Sequence, residues 1–298
     1  MPDLYIKPVN WLTIGDVLAE DIIIDDEVIF TAGTVITLNK ILKLQSLDIS
    51  YVKVSSPPFA TANYQKQTNI FPDLIAQDFY DFLIKNNKNQ RYSILLKDID
   101  DFQFITNHAL QNMNDNVFNL LSALKSWDIC SYKHVIDVFV IAAQWMCSLG
   151  MTVSVEDCYG LLLHDIGKIK VPRSILIKNQ RLTNEEYECI KMHTENGECI
   201  LKSLNFSNIV CDMAKFHHVR FNGTGYPLTN PEILDIRIKI LMIVDVFSAL
   251  TLDRPYRKAY SFEDGLGILK MEEDSFDKDL LQQFINFIKY QIGKVPQR

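Results

Sequence analysis

The sequence predicts a mainly α protein with a small α+β, strand-rich unit at its N-terminus. Three observations predict it. From Phe71 onward, apolar residues recur at three- and four-residue steps, the spacing of one helical face. Residues 1–54 instead hold a β-branched run, "LAEDIIIDDEVIFTAGTVIT", with turn-forming pairs inside it. Between the two lies "SSPPFATANYQKQTN" (Ser55 to Asn69), a polar, proline-containing stretch that reads as a linker. The expected organisation is an accessory or regulatory unit over 1–54, a linker over 55–70, a helical connecting segment over 71–125 and the functional domain over 126–298.

The elements follow in order. Asp25-Asp26 and Ala32-Gly33 suit turns, so the β-branched run reads as a hairpin. "LNKILKLQSLDI" has helical spacing, and "SYVKV" reads as a closing strand. "FPDLIAQDFYDFLIK" and "DIDDFQFITNHALQNMNDNVFNLLSAL" read as helices, with "KNNKNQ" as a solvated turn. The next helix is expected to start at Ser131 as its N-cap and to end near Gly150. In "SVEDCYGLLLHDIG", Ser154 and Asp157 form an acidic capping box, and Gly167 with Pro172 is expected to stop that helix. "LTNEEYECIKMH" repeats the start signal with Thr183 and Glu186.

Composition narrows the function. At 298 residues and 48% hydrophobic, the chain can bury a sizeable core. A formal net charge of −7 argues against a general binder of DNA or RNA backbones, which needs a basic footprint. The start, "MPDLYIKPVNW", lacks the basic-then-apolar pattern of a signal peptide. The longest apolar runs are interrupted by Asp137 and Asp245 and are too short to span a bilayer. These features lead us to expect a cytoplasmic protein with no membrane partner. The six cysteines are scattered without a CxxC pair and read as reduced core thiols.

The chemistry-bearing residues are histidines and aspartates. Of six histidines, His108 stands apart. His134, His164, His193, His217 and His218 each fall near the middle or end of an expected helix, and Asp165 and Asp245 join them. In an antiparallel bundle, successive helices can aim such groups at one point. Imidazole and carboxylate together suit first-row divalent metals. Asp245 is the sharpest clue. It lies inside "KILMIVDVFSAL", apolar on nearly every side, where an unpaired carboxylate is costly and a cation satisfies it.

Five motifs carry a family resemblance: "DICSYKH", "HDIGKIKVPRSIL", "KMHTENG", "HHVRFNGTGYP" and "IVDVFSALTLDRPYRKA". In order and spacing the chain from about Ser126 onward resembles the HD-GYP family. The resemblance implies a helical HD-superfamily bundle and a metal-dependent cyclic di-GMP phosphodiesterase, with two divalent ions, iron or manganese, rather than three. By position, His134, His164, Asp165 and Asp245 would hold one ion. Asp165 would bridge to a second, held also by His193, His217 and His218. The ions would share a hydroxide that attacks phosphorus, giving pGpG and then GMP. Lys168 would sit near the scissile phosphate. Gly225, Tyr226 and Pro227 would line the pocket. Arg254, Arg257 and Lys258 would meet the ligand's phosphate or guanine. A signalling protein could meet the Gly-Tyr-Pro loop or the N-terminal unit.

The chain departs from the family pattern in several places. Val219, Phe221 and Asn222 stand where the family commonly has Glu, an aromatic and Asp, and Ser248 replaces a second Asp. The segment 228–236 is short. Cys130 stands where some trinuclear members carry a Glu, which favours two metals. The altered surroundings keep two other readings open: a cyclic-dinucleotide receptor that signals without turnover, or an HD phosphohydrolase for another nucleotide.

Overall fold

The computed structural model describes residues 4–9, 12, 16–24, 27–36, 40, 43, 44, 47, 49, 51–55, 113–254 and 257–293. All of the expected linker except Ser55, which ends a strand, lies outside these residues, as do most of the connecting segment, His108, the Asp25-Asp26 turn and most of "LNKILKLQSLDI". The chain divides into two compact units, Met1–Asp78 and Phe79–Arg298.

In the first unit, β1 (Leu4–Pro8), β5 (Tyr51–Ser55) and β2 (Val17–Leu18) form an antiparallel sheet in the order β1-β5-β2. Strands β3 (Ile22–Ile24) and β4 (Glu27–Phe30) pair antiparallel, with Ile24 opposite Glu27. "SYVKV" is thus the central strand of the three. The Ala32-Gly33 turn brings the Gly33 amide to the Leu18 carbonyl at 2.7 Å.

The second unit is helical. Helix α1 (Asp115–Trp127) begins at Asn114, whose side chain caps the Val117 amide. Helix α2 (Ile129–Ser148) is buried along nearly its whole length, from Ser131 to Met146. Its N-cap is Asp128 rather than Ser131. The Asp128 carboxylate accepts from the Cys130 and Ser131 amides and from the Ser131 hydroxyl, so Ser131 is a capped residue and the helix starts earlier than expected. Helices α1, α3 (Val155–Leu163), α8 (Ile236–Thr251) and α10 (Lys278–Gly293) pack on α2. Trp145, Phe247 and Phe284 lock that packing, with ring centroids 4.8 and 5.2 Å apart. Among the described residues, no helix is long and apolar enough to cross a membrane.

Four shorter helices complete the frame: α4 (Arg173–Leu176), α5 (Asn184–Lys191), α6 (His193–Ser203) and α7 (Asn208–Phe216). Helix α9 (Phe262–Met271) packs against α8 and α10. Both expected capping boxes are present, Ser154 with Asp157 and Thr183 with Glu186.

The end of α3 differs from expectation. The helix finishes at Leu163 with His164 as C-cap, and a 3-10 turn then runs over Ile166–Lys170. Gly167 lies inside that turn and is not the stop. Its role is steric: a Cβ there would stand 1.9 Å from the His193 carbonyl oxygen. Only a residue without a side chain lets this turn lie against α6.

Candidate metal centre

Three of the histidines occupy the same kind of position. His164 caps α3, His193 follows the end of α5, and His217 caps α7. The last carbonyls of a helix lack partners within it. Each ring uses one of them. His164 Nδ1 donates to Leu161 O at 2.8 Å, His193 Nδ1 to Ile190 O at 2.7 Å, and His217 Nδ1 to Ala214 O at 2.9 Å. A carbonyl only accepts, so the proton sits on Nδ1 and each Nε2 presents its lone pair inward. Three helix C-termini, each carrying partial negative charge, therefore converge on one point.

The Nε2 atoms meet at Asp165. His193 Nε2 and His217 Nε2 lie 3.3 and 3.7 Å from Asp165 Oδ1. His134 Nε2 and His164 Nε2 lie 4.0 and 3.8 Å from Asp165 Oδ2. One carboxylate thus stands between two groups of rings. Asp245 spans them a second time: Oδ1 is 2.8 Å from His134 Nε2 and 3.8 Å from His164 Nε2, and Oδ2 is 3.9 Å from His218 Nδ1. Ligand atoms of Asp165, His193, His217 and His218 all lie within 4.8 Å of one another, as do those of His134, His164 and Asp165.

This cluster fits divalent cations. His193 Nε2 and His217 Nε2 are lone-pair donors facing each other at 3.2 Å, with each ring's proton already committed to a carbonyl. Buried His164 Nε2 and Asp165 Oδ1 have no hydrogen-bond partner. Such groups are costly inside a protein unless a positive charge lies between them. Burial also keeps the rings neutral, pushing His164 down to about 4 and His193 to about 3. His134 is lowered by burial and by Arg254, and His218 falls well below its ordinary value through burial and His217. A neutral imidazole is the ligating form. Burial alone would raise the Asp165 and Asp245 carboxyls. Lys168 and His164 outweigh it at Asp165, and His134 does so at Asp245.

The remaining expected site residues are placed as follows. Lys168 Nζ pairs with Asp165 Oδ2 at 2.6 Å. Tyr226 stacks on His218 at 4.7 Å, and its amide donates to the His218 carbonyl at 2.9 Å. Gly225 permits this, because a Cβ there would stand 2.2 Å from the same carbonyl. Pro227 follows through a cis peptide bond. Arg254 acts electrostatically on His134 and Cys130. Arg257 differs from the expected ligand contact: its guanidinium donates to the carbonyls of Ala249, Leu250 and Lys258, tying down the end of α8. Lys258 is exposed. Cys130 lies one turn before His134 on α2, and burial with nearby Asp128 raises its thiol away from the ligating thiolate form.

Val219 is buried, 2% exposed, as part of the core. The Glu that the family pattern places there is not needed to orient His164, His193 or His217, which use backbone carbonyls. Asn222 donates to Ser275 Oγ at 2.8 Å and accepts from the Thr224 amide and hydroxyl, so it organises the loop. Sequence reasoning missed Asp137 as part of the site. It is fully buried and accepts from Ser248. The signal was the one used for Asp245, a carboxylate inside an apolar helix.

A profile described as HD domain matches residues 145–280. The chain is 34% identical over 145 residues to the 3'3'-cGAMP-specific phosphodiesterase 1 of Vibrio cholerae, covering 48% of this chain and 34% of that relative. It is 31% identical over 183 residues to the cyclic di-GMP phosphodiesterase PA4108 of Pseudomonas aeruginosa, covering 60% and 44%. It is also 31% identical over 180 residues to a cyclic di-GMP phosphodiesterase of Thermotoga maritima, covering 58% and 48%. The chain spans between about a third and a half of the length of these curated relatives. The domain match shows that the chain carries an HD domain, and these relatives, with the histidine–aspartate cluster and the Gly225-Tyr226-Pro227 loop, support its resemblance to the HD-GYP family.

Proposed function

We propose that this chain is a metal-dependent phosphodiesterase that hydrolyses cyclic di-GMP to pGpG, with GMP as the product of a second cut. The observation that carries the reading is Asp165, whose two oxygens face two separate groups of imidazole nitrogens. His134, His164, Asp165 and Asp245 would hold one divalent ion, and Asp165, His193, His217 and His218 a second. This mixed imidazole–carboxylate donor set accommodates iron or manganese, the pair we propose. When bound, the pair supplies positive charge against phosphate oxygens and lowers the pKa of water toward neutrality.

The chain's own residues do the rest. The backbone-fixed rings hold their lone pairs in one orientation before any ligand arrives, so little reorganisation is needed. Lys168 now neutralises Asp165. Once that charge is met by metal, its ammonium offsets charge on the phosphate. Tyr226, pinned over His218, gives the pocket an aromatic wall at the site's edge. Arg254 adds positive charge from the end of α8.

The test is incubation of iron- or manganese-loaded protein with cyclic di-GMP, followed by chromatographic separation of products. Appearance of pGpG, and its loss in Asp165→Asn, is the expected result. Tight binding without product would make the chain a receptor. A second reading rests on the Vibrio cholerae relative, whose name specifies 3'3'-cGAMP. Running that dinucleotide beside cyclic di-GMP decides between the two substrates.

A further inference from the structure

His134 is the exception among the buried ring ligands. It sits six residues into α2, where the helix's own amides consume the nearby carbonyls. No helix end is at hand to orient it. Its Nδ1 instead lies 3.0 Å from Ser248 Oγ on α8. Ser248 Oγ in turn donates to Asp137 Oδ2 at 2.6 Å. His134, Ser248 and Asp137 are 2%, 0% and 0% exposed.

The proton positions follow from the chemistry. A carboxylate accepts, so the Ser248 hydroxyl hydrogen points at Asp137. The hydroxyl oxygen is then left to accept, and His134 Nδ1 must carry the proton. His134 Nε2 is thereby left as a lone pair, 2.8 Å from Asp245 Oδ1. Two acceptors at that distance suit a shared cation.

We propose that Ser248 and Asp137 are positioning residues that fix the His134 tautomer and ring orientation for metal binding, as a carboxylate–hydroxyl–imidazole chain. Here the orienting carboxylate lies one link further out, on the same helix as the histidine, and a serine relays it. In the sequence alone, Ser248 is only a missing carboxylate. The structure shows that a carboxylate is supplied from α2, three residues after His134. This inference rests on the metal-binding reading above.

The test uses the protein stripped of metal, with Zn2+ as a diamagnetic probe. Zn2+ affinity is measured by chelator competition, and the His134 Nδ1–H is followed by NMR on protein with 15N-labelled histidine. Thermal unfolding of the metal-free protein is the control. For Ser248→Ala, we expect the affinity of the His134 site to fall by about 10–100-fold, the scale of outer-shell losses. We also expect the hydrogen-bonded, exchange-protected Nδ1–H signal to disappear. Ser248→Thr keeps a hydroxyl at the same place and should restore both. Asp137→Asn keeps the volume and weakens the acceptor, and should fall between.

If Ser248→Ala folds and binds Zn2+ like wild type with its Nδ1–H intact, the proposal is overturned. If Ser248→Ala does not fold, Ser248→Thr and Asp137→Asn decide. Wild-type affinity and an unchanged Nδ1–H signal in Asp137→Asn would then overturn it. Failure of the wild-type protein to bind Zn2+ would instead remove the metal reading itself, a distinguishable result.

Discussion

The histidines of the metal centre are oriented by two different means. His164, His193 and His217 stand at helix ends and are oriented by backbone carbonyls that those ends leave free. His134 instead stands mid-helix and depends on two side chains from α2 and α8. The difference teaches where a site tolerates sequence change. A carbonyl orients a ring whatever residue supplies it, so those three rings keep their geometry with Val219 in place of an acidic residue. A side-chain relay is only as good as its two members.

The largest expected effect comes from the residue both groups of rings share. Asp165→Asn should cost at least about 100-fold in kcat, the scale for losing one aligned electrostatic group. It should also lower metal content on both sides, read by elemental analysis. Loss from one side only would break the picture of a shared carboxylate.

Metal itself should stabilise the fold. Lone pairs facing each other at 3.2 Å and the unpartnered His164 Nε2 are relieved only by a cation. With Mn2+ at about 100 times its Kd, linkage adds about 2.7 kcal/mol. That corresponds to a rise of roughly 4 °C in Tm for a chain of this size. Calorimetry with and without chelator checks it, and Asp165→Asn should lose most of the rise.

Gly167→Ala should sharpen the contrast. A Cβ at 1.9 Å from the His193 carbonyl forces the 3-10 turn off α6. Roughly 1–3 kcal/mol of stability should go, as for other overpacked contacts. Denaturant unfolding measures that loss. Mn2+ titration should show weaker binding chiefly on the His193 side, because that is the residue displaced.

The smallest effect concerns the tie between α6 and α7. Glu198 on α6 pairs with Lys202 at 2.6 Å and with Lys215 of α7 at 2.8 Å. Burial would raise its carboxyl, but the two ammonium groups outweigh it and the folded value lies below the ordinary 4.5. The unfolded chain therefore takes up the proton first as pH falls. The stabilisation is present above about 4.5 and is lost as pH drops through the folded value. Glu198→Gln should cost up to about 1 kcal/mol at pH 7 and nothing measurable in acid, read from urea midpoints at both pH values.

Much of this was legible before any fold. The helices could be read because their apolar spacing and capping boxes are local signals, as at Ser154–Asp157 and Thr183–Glu186. The motif order named the same histidines and aspartates that the structure gathers. What misled the reading was local too. Ser131 looked like an N-cap because Asp128 lies only three residues earlier, and Gly167 looked like a stop because its neighbour in α6 is distant in sequence.

The sequence by itself determined which side chains could bind a metal and that they lie on or beside helices, because residue type and periodicity are properties of short segments. Only the tertiary structure decided how those side chains are aimed. Asp165 divides its oxygens between two groups of rings because α2, α3, α6 and α7 converge there. The Arg257 guanidinium caps α8 because the loop after α8 folds back on it. Ser248 completes a chain to Asp137 because α8 crosses α2 at that point. Hydrogen bonds between residues more than a hundred positions apart have no periodicity to announce them.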